Sequence, residues 1–384
     1  MMQWINWFRP LVALTRKELT QLWRDRVLLA FVIYAFTVDI FLAGTGVTLQ
    51  VSHAKTVISD ADHGSAAREL VGRLVEPSFS VQAGSVSGNQ ALDALDRGDA
   101  MMAVDIPPNF TADLAAGRDT TVGLWVDTSN SVQGFLAASY MTRVVTQFGL
   151  ESGIQQLRSQ AGSLGITSLP TTDNRIRAWY NANQDDSWFM AISELLNIIT
   201  AFAILLPAAA AVREKERGTV EQLLVSPLSP LQILLPKVIA MGGVILLAVV
   251  LSLNAVLWPI FDVPCRGSLP LFFAMCALYI FSTAGLGLFI ATIARNLAQV
   301  GMLTILVLAP MLFLSGAWTP PEAMPFWLAK AMVISPLHHF MDIAFGILLK
   351  NQDARSLAEP ITILAGIGAL LFGQGLYRFR RQFG

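Results

Sequence analysis

The sequence predicts a mainly α-helical, polytopic membrane protein. The expected architecture is a six-helix bundle, preceded by an amphipathic N-terminal helix and carrying an inserted extracytoplasmic α/β domain. Three observations predict it. The 384 residues are 54% hydrophobic and only 14% charged, well away from the balance of a soluble domain. The apolar residues gather in blocks of about 20 or more, the length a helix needs to cross a bilayer core. Between the first two blocks the chain turns polar for about 135 residues, enough for a separate core. The net charge of −1 leaves no basic footprint for nucleic acid.

The N-terminal segment 9–26 places Leu11, Val12, Leu14, Leu19, Leu22 and Trp23 near helical spacing, with Arg16, Lys17 and Arg24 elsewhere around the axis. Such a helix suits the headgroup region of a membrane. A soluble helix packed on another domain is the alternative, disfavoured because an apolar run follows at 27–51. That run exceeds the apolar core of a cleavable leader and is expected to be retained as the first span. Residues 1–51 therefore form one unit, 52–186 the inserted domain, and 187–384 the rest of the bundle.

The 52–186 segment holds 15 acidic and nine basic residues. Alternating stretches at 79–83, 100–106 and 121–127 read as strands. Segments 89–97 and 109–116 read as helices, and a longer helix starts near Ser131. Further spans are expected at 188–212, 238–261, 269–294, 297–318 and 357–377. The run 326–349 carries Lys330, Pro336, His338, His339 and Asp342. That load is costly against lipid. It reads as one or two helices within 320–349 that dip into the outer leaflet or rest on it, packed against protein.

Short-loop charges set the orientation. The N-terminus, the 213–237 loop, the turn at 295 and the C-terminus carry 13 Lys and Arg, against four (Arg266, Lys330, Lys350, Arg355) in the opposite loops. The basic side is expected to be the cytoplasm, with both termini there. Six spans satisfy this rule; counting 326–349 as a seventh breaks it.

No catalytic apparatus is legible. None of the six lysines follows a glycine, so there is no phosphate-binding loop of the Gly-Lys-Ser/Thr type. Neither His-Glu-x-x-His nor Gly-x-Ser-x-Gly occurs. His338, His339 and Asp342, or Asp60, Asp62 and His63, would be poor metal sets, and a structural interfacial role and a solvated loop fit them better. Cys265 and Cys276 are not expected to pair. Asp39 and Glu194 fall inside the first and second spans, where ionisable groups mark functional sites by default. They lie either on a substrate path or at a plain interfacial position, and Asn197, one turn from Glu194, is a hydrogen-bond partner by spacing.

Between the second and third spans the chain reads Arg213-Glu-Lys-Glu-Arg-Gly-Thr-Val-Glu-Gln-Leu-Leu-Val-Ser-Pro. Gly218 breaks the charged helix and Thr219 with Gln222 makes a capping box. Val220, Leu223 and Leu224 then form a short apolar face. That face either docks a partner or packs on the bundle itself.

This segment resembles the signature of the six-span permeases of bacterial ABC exporters, the second ABC permease class. Other motifs resemble the same family in order: Arg16-Lys-Glu-Leu with Arg24-Asp-Arg; Ala103-Val-Asp-Ile-Pro-Pro-Asn-Phe; Val126-Asp-Thr-Ser-Asn; Arg177-Ala-Trp-Tyr-Asn-Ala-Asn; Leu314-Ser-Gly-Ala-Trp-Thr-Pro-Pro; and Ser335-Pro-Leu-His-His-Phe. The chain departs from the family at Ile192-Ser-Glu194, where an apolar or Pro-Gly stretch is expected.

The resemblance implies an elbow helix carrying Arg16, Lys17, Glu18 and Arg24. It also implies a coupling helix at 214–226, with Arg213, Glu214, Glu216, Arg217, Gly218, Thr219, Glu221, Leu223 and Leu224 serving the ATPase contact. The protein would bind no cofactor itself; ATP and Mg would sit on separate ABC ATPase subunits. A second permease, identical or related, would complete the transporter, with a periplasmic adaptor protein as a further partner. The setting would be the bacterial inner membrane and the cargo an expelled drug, lipid or other amphiphile. Two other readings stay open from the residues: an ion-coupled secondary transporter using Asp39 and Glu194, and a membrane receptor or scaffold sensing through the external domain.

Overall fold

The structure, a computed structural model, describes residues 2–46, 53–76, 78–127, 131–163, 180, 185–218, 228–317 and 324–383. The chain divides into two compact units, Met1–Val47 with Ala178–Gly384, and Thr48–Arg177.

Helix α1 (Met2–Arg24) stops at Asp25, whose Oδ1 accepts a hydrogen bond from the Leu28 amide at 3.1 Å and caps α2 (Arg26–Tyr34). The chain passes through a π-helical turn, Ala35–Asp39, into α3 (Ile40–Gly46). Residues 26–46 thus make one 21-residue apolar helix. The expected single apolar face of α1 is in fact two. Leu11 and Leu22 are buried, while Val12 and Trp23, each one residue or about 100° further round, are exposed with Phe8 and Leu19. The acid Glu18, not a leucine, sits at the centre of the buried stripe, 3% exposed.

The Thr48–Arg177 unit follows as β1 (Ala54–Asp60), α4 (Ser65–Gly72), β2 (Phe79–Ser85), α5 (Gly88–Asp96), β3 (Met102–Ile106), α6 (Phe110–Ala115), β4 (Gly123–Val126) and α7 (Ser131–Ser163). The sheet order is β2-β1-β3-β4, with β1 parallel to both neighbours and β4 antiparallel to β3. The larger core joins Ile58, Leu70, Met102, Val104 and Ile106 to Phe110, Met141 and Phe148. A smaller core on Val57, Ala94 and Ala100 involves α5. Arg73 on α4 forks between Glu69 at 2.8 Å and Glu151 of α7 at 2.7 Å, over the Phe148 ring. Strand β1 and helix α4 were not read from the sequence. Thr56, Val57, Ile58 and Ser59 are all buried, so the strand shows no period of two.

The remaining chain forms α8 (Asp186–Glu216), α9 (Pro230–Ser252) with a π turn at Leu253–Leu257, α10 (Leu269–Ile293), α11 (Leu297–Phe313), α12 (Phe326–Met332), α13 (Pro336–Leu348) and α14 (Ala358–Phe383). Asp185 caps α8 through the Ser187 amide. A reciprocal Ser229–Gln232 capping box with Pro230 starts α9 eight residues ahead of the expected span. Among the described residues five helices are long and apolar enough to cross a membrane: 26–46, 186–216, 230–257, 269–293 and 358–381. The count reaches six if the bent pair α12–α13 is one span.

The expected span 297–318 ends as a helix at Phe313, where the Ser315 hydroxyl donates to the Leu312 carbonyl and Gly316 takes φ +89°. Its 17 residues reach about 26 Å, short of a core of about 30 Å. Helices α12 and α13 are bent by 72°. The first exposes Phe326 and Trp327; the second buries Leu337, Phe340, Ile343 and Ile347. The His339 ring contacts the Val333 carbonyl at the break, 2.8 Å away.

Helix α8 is the axis of the bundle, with nearly all of its apolar stretch buried. Backbones meet closely at glycines. A Cβ on Gly287 would lie 2.3 Å from the Ile204 carbonyl oxygen of α8, and one on Gly285 2.5 Å from the Phe372 nitrogen of α14. Small residues at such points replace side-chain interdigitation in lipid-facing bundles. Thr200 Oγ1 and Tyr279 Oη, 2.8 Å apart, tie α8 to α10, and Tyr279 stacks on Phe340 of α13.

Candidate functional site

The charged end of α8 is built from four consecutive side chains that point in four directions, because each helical residue turns about 100° from the last. Arg213 Nη1 lies 3.2 Å from Asp25, the cap of α2. Glu214 meets Lys17 of α1 at 2.6 Å and Lys237 of α9 at 2.8 Å. Lys215 donates to the terminal carbonyls of α10, at Ala291, Thr292 and Ala294. Glu216 accepts from the Leu297 amide at the start of α11, 3.0 Å away. The cation sits at a helix C-terminus and the anion at an N-terminus, each where the helix dipole favours it.

At the centre of this junction Lys237, 2% exposed, also meets Glu18 of α1 at 2.6 Å. Lys17, Glu18, Glu214 and Lys237 form a charge-balanced quartet. Balance is what makes burial tolerable, since an unpaired ion would be strongly penalised. Gln232 Nε2 donates to the Trp7 carbonyl at 3.3 Å, a further tie between α1 and α9. At the end of α14, Arg378 lies over Phe289 of α10. The segments that carry 13 basic residues therefore meet at one end of the bundle.

Of the residues the resemblance assigned to the ATPase contact, Glu214 is buried inside this junction, and Arg213 and Glu216 are engaged with neighbouring helices. Arg217 is exposed, and Gly218 ends α8 with φ +66°. Thr219, Glu221, Leu223 and Leu224 lie outside the described residues. Of the elbow residues, Arg16 and Arg24 are exposed, while Lys17 and Glu18 face the junction. Sequence reasoning counted Lys237 only as a loop charge. The available signal was a lysine about two turns into an apolar helix.

A second polar locus lies deeper. Asp39 ends the π turn of the first span, and Glu194 lies on α8. Glu194 Oε2 accepts from Asn197 Nδ2 at 3.1 Å, the partner that spacing predicted. The buried atoms Asn197 Oδ1 and Ser193 Oγ have no hydrogen-bond partner among the described residues.

The remaining candidates are structural. Asp60 Oδ1 accepts from the amides of Asp62 and His63. Asp62 Oδ2 accepts from the Gly64 and Thr111 amides and the Thr111 hydroxyl, so the loop is tied to α6. The Thr111 hydroxyl is the largest influence holding the Asp62 carboxyl below its ordinary pKa, against an opposing desolvation effect. His338 pairs loosely with Asp342 at 3.7 Å, and its Nδ1 stands 3.3 Å from the Ser315 carbonyl. Among the described residues no three His, Cys, Asp or Glu converge as metal ligands. Both cysteines are free; Trp258 donates to Cys265 Sγ at 3.0 Å, and burial pushes that thiol's pKa up.

Residues 27–377 match the family described as ABC-2 family transporter protein. The chain is 33% identical over 368 residues to the inner membrane transport permease YhhJ of Escherichia coli K12, across 96% of each chain. It is 29% identical over 379 residues to the probable multidrug ABC transporter permease YbhR of the same organism, across 98% of this chain and 99% of that one. It is also similar, at 20% identity over 369 residues, to ABC transporter G family member 20 of Dictyostelium discoideum, covering 94% of this chain and 49% of that protein.

Proposed function

The chain belongs to the ABC-2 family of transporter proteins, and from that premise we propose that it is the permease subunit of an ATP-driven exporter. Its cargo is a drug, lipid or other amphiphile leaving the cytoplasm or the inner leaflet. ATP and Mg act on separate ABC ATPase subunits. A second permease, identical or related, completes the conduit. The inserted unit lies outside the cytoplasm, where it receives cargo or a periplasmic adaptor protein. The setting is a bacterial inner membrane, as in the name of the YhhJ relative.

The observation that carries the reading is the junction at Arg213–Glu216. It overlaps the start of the proposed coupling segment, 214–226, and it grips α1, α2, α9, α10 and α11 at once. An ATPase that moves Leu223 and Leu224 pulls on Gly218 and so on the base of α8. Through four adjacent side chains that displacement reaches five other helices. An ATP-driven change needs only different contacts in the two states, and a charge-balanced junction that moves as one block delivers it to the whole bundle.

The same reading places both termini in the cytoplasm. Six spans are counted with α11 as a short one and α12–α13 as a re-entrant pair. Helix α1 is the elbow: its Phe8, Val12, Leu19 and Trp23 stripe enters lipid, its exposed Arg16 and Arg24 meet headgroups, and its third face docks on the junction.

The test is docking. The double substitution L223D/L224D is expected to abolish co-purification with the ATPase subunit while membrane insertion is unchanged. Undiminished association in that variant overturns the coupling assignment. Solute pumping by the chain alone, down an ion gradient and without nucleotide, would favour the secondary-transporter reading instead.

A further inference from the structure

We propose that the cavity between α4 and the edge strand β2 binds a small zwitterion with an apolar side chain, a free apolar amino acid. Such a site belongs to the inserted unit alone and is independent of the export reading. Two local features open the cavity. Strands β1 and β2 pair at Thr56–Val81 and again at Ile58–Ser85, so the single residue Val57 stands opposite Gln82, Ala83 and Gly84. The excess residues make β2 bulge from its neighbour, and bulges at sheet edges re-aim side chains beside sites. The helix on that side then lacks a side chain. Gly72 ends α4 without a positive φ, and a Cβ added there would meet no atom within 4 Å.

The resulting cavity measures about 300 Å³ and reaches from Ile58 and Asp60 of β1 to Val81 and Gln82 of β2. That is the lower end of small-ligand sites, about 300–1,000 Å³, and suits a molecule of amino-acid size, not a drug-sized cargo. Ile58, with Val71 of α4 and Val81, supplies an apolar surface at the edge of the larger core.

Two opposite charges line the same space. Arg68 of α4 is exposed, and its Nη1 donates to the His63 carbonyl at 3.1 Å, which fixes the guanidinium. It forms no ion pair among the described residues. An arginine has five donors, and the Nε and Nη2 edge is left for a carboxylate, which a guanidinium holds two-pronged. Asp60 ends β1, and its Oδ1 accepts from the amides of Asp62 and His63, so its carboxylate is fixed as well. The Gln82 amide is held by donation to the Asp99 carbonyl at 3.2 Å. One fixed cation, one fixed anion and an apolar floor match a molecule carrying a carboxylate, an ammonium and a hydrocarbon side chain. An organic anion alone would be repelled by Asp60, and an organic cation alone by Arg68.

The experiment is calorimetric titration of the full-length chain in nanodiscs with leucine, isoleucine, valine and methionine. At least one of them is expected to bind saturably, with a Kd below about 1 mM. The amide of that amino acid, which lacks the carboxylate, and its deamino acid, which lacks the ammonium, are each expected to bind about ten-fold more weakly or worse. R68Q is expected to weaken the amino acid by about the same factor. G72L puts a side chain into the cavity, and is expected to cost about ten-fold or more in affinity while Tm is held or raised, since leucine is a better helix former than glycine. That split separates loss of the site from loss of the fold. No saturable binding by any of the four, an analogue that binds as tightly as its amino acid, or unchanged affinity in R68Q or G72L overturns the site.

Discussion

Replacing Lys237 by methionine should be the most damaging single change at the charged junction of α1, α8 and α9, and the geometry sets the size of the loss. The ammonium lies 2.6 Å from Glu18 and 2.8 Å from Glu214, and its side chain is 3% exposed. Without it both buried carboxylates lose a close cation, and Lys17 is 3.9 Å from Glu18 and 38% exposed. Breaking a buried pair by removing one partner costs about 3–5 kcal/mol, mostly from the charge left behind. A melting entropy of about 2.1 cal/mol/K per residue over a unit of roughly 250 residues converts that into a fall of about 6–10 °C in Tm. The companion double variant E18M/K237M removes one charge of each sign and leaves the 2.6 Å Lys17–Glu214 pair intact. It should lie within about 1–2 kcal/mol of the parent, since an apolar replacement of a complete pair is often neutral. The assay is thermal unfolding of the detergent-solubilised full chain, followed by size-exclusion chromatography at stepped temperatures, for the parent, both singles and the double. A K237M protein as stable as the parent, or a double variant no better than the single, would refute the charge-balance argument.

Three further outcomes are expected. Gly287→Val drives a side chain into the Ile204 carbonyl, so α8 and α10 must separate; overpacking of this kind costs about 1–3 kcal/mol and should appear as a lower Tm. In the inserted unit Asp62 has a depressed pKa in the fold, chiefly from the Thr111 hydroxyl. Its contribution to stability is therefore present above the ordinary aspartate pKa and is lost as pH falls through the folded value. Thr111→Val should lower resistance of the full chain to proteolysis within 52–127 at neutral pH, and should flatten the loss on acidification; an unchanged acid limb would count against the contact. Protease added to right-side-out vesicles should cut within 52–186, and protease added to inverted vesicles should not; the opposite pattern would reverse the orientation.

Much of the membrane unit was legible because its signals are local. Five long apolar helices follow from run length and the Glu194–Asn197 bond from i, i+3 spacing, whereas the start of α9 at the Ser229–Gln232 capping box was not read. In the inserted unit β2, β3 and β4, with α5 and α6 between them, were readable from short apolar stretches and their turn residues. Strand β1, buried throughout its centre, left no alternating pattern to find.

Sequence alone determined that the chain crosses a membrane several times, which end of the bundle is basic, and that no Gly-Lys-Ser/Thr phosphate-binding loop is present. Tertiary structure decided what the charges do. Lys17 and Glu214 are separated by 197 positions, and Glu18 and Lys237 by 219, so no window on the chain reveals that these four balance one another. It also fixed where the 326–348 run, already read as one or two helices, bends: at Ser335-Pro336, where His339 closes the break onto Val333. The physical reason is the same in both cases: solvation by lipid acts on each segment separately and is written in composition, whereas pairing a buried charge or carbonyl requires a partner that only the packed bundle brings within reach.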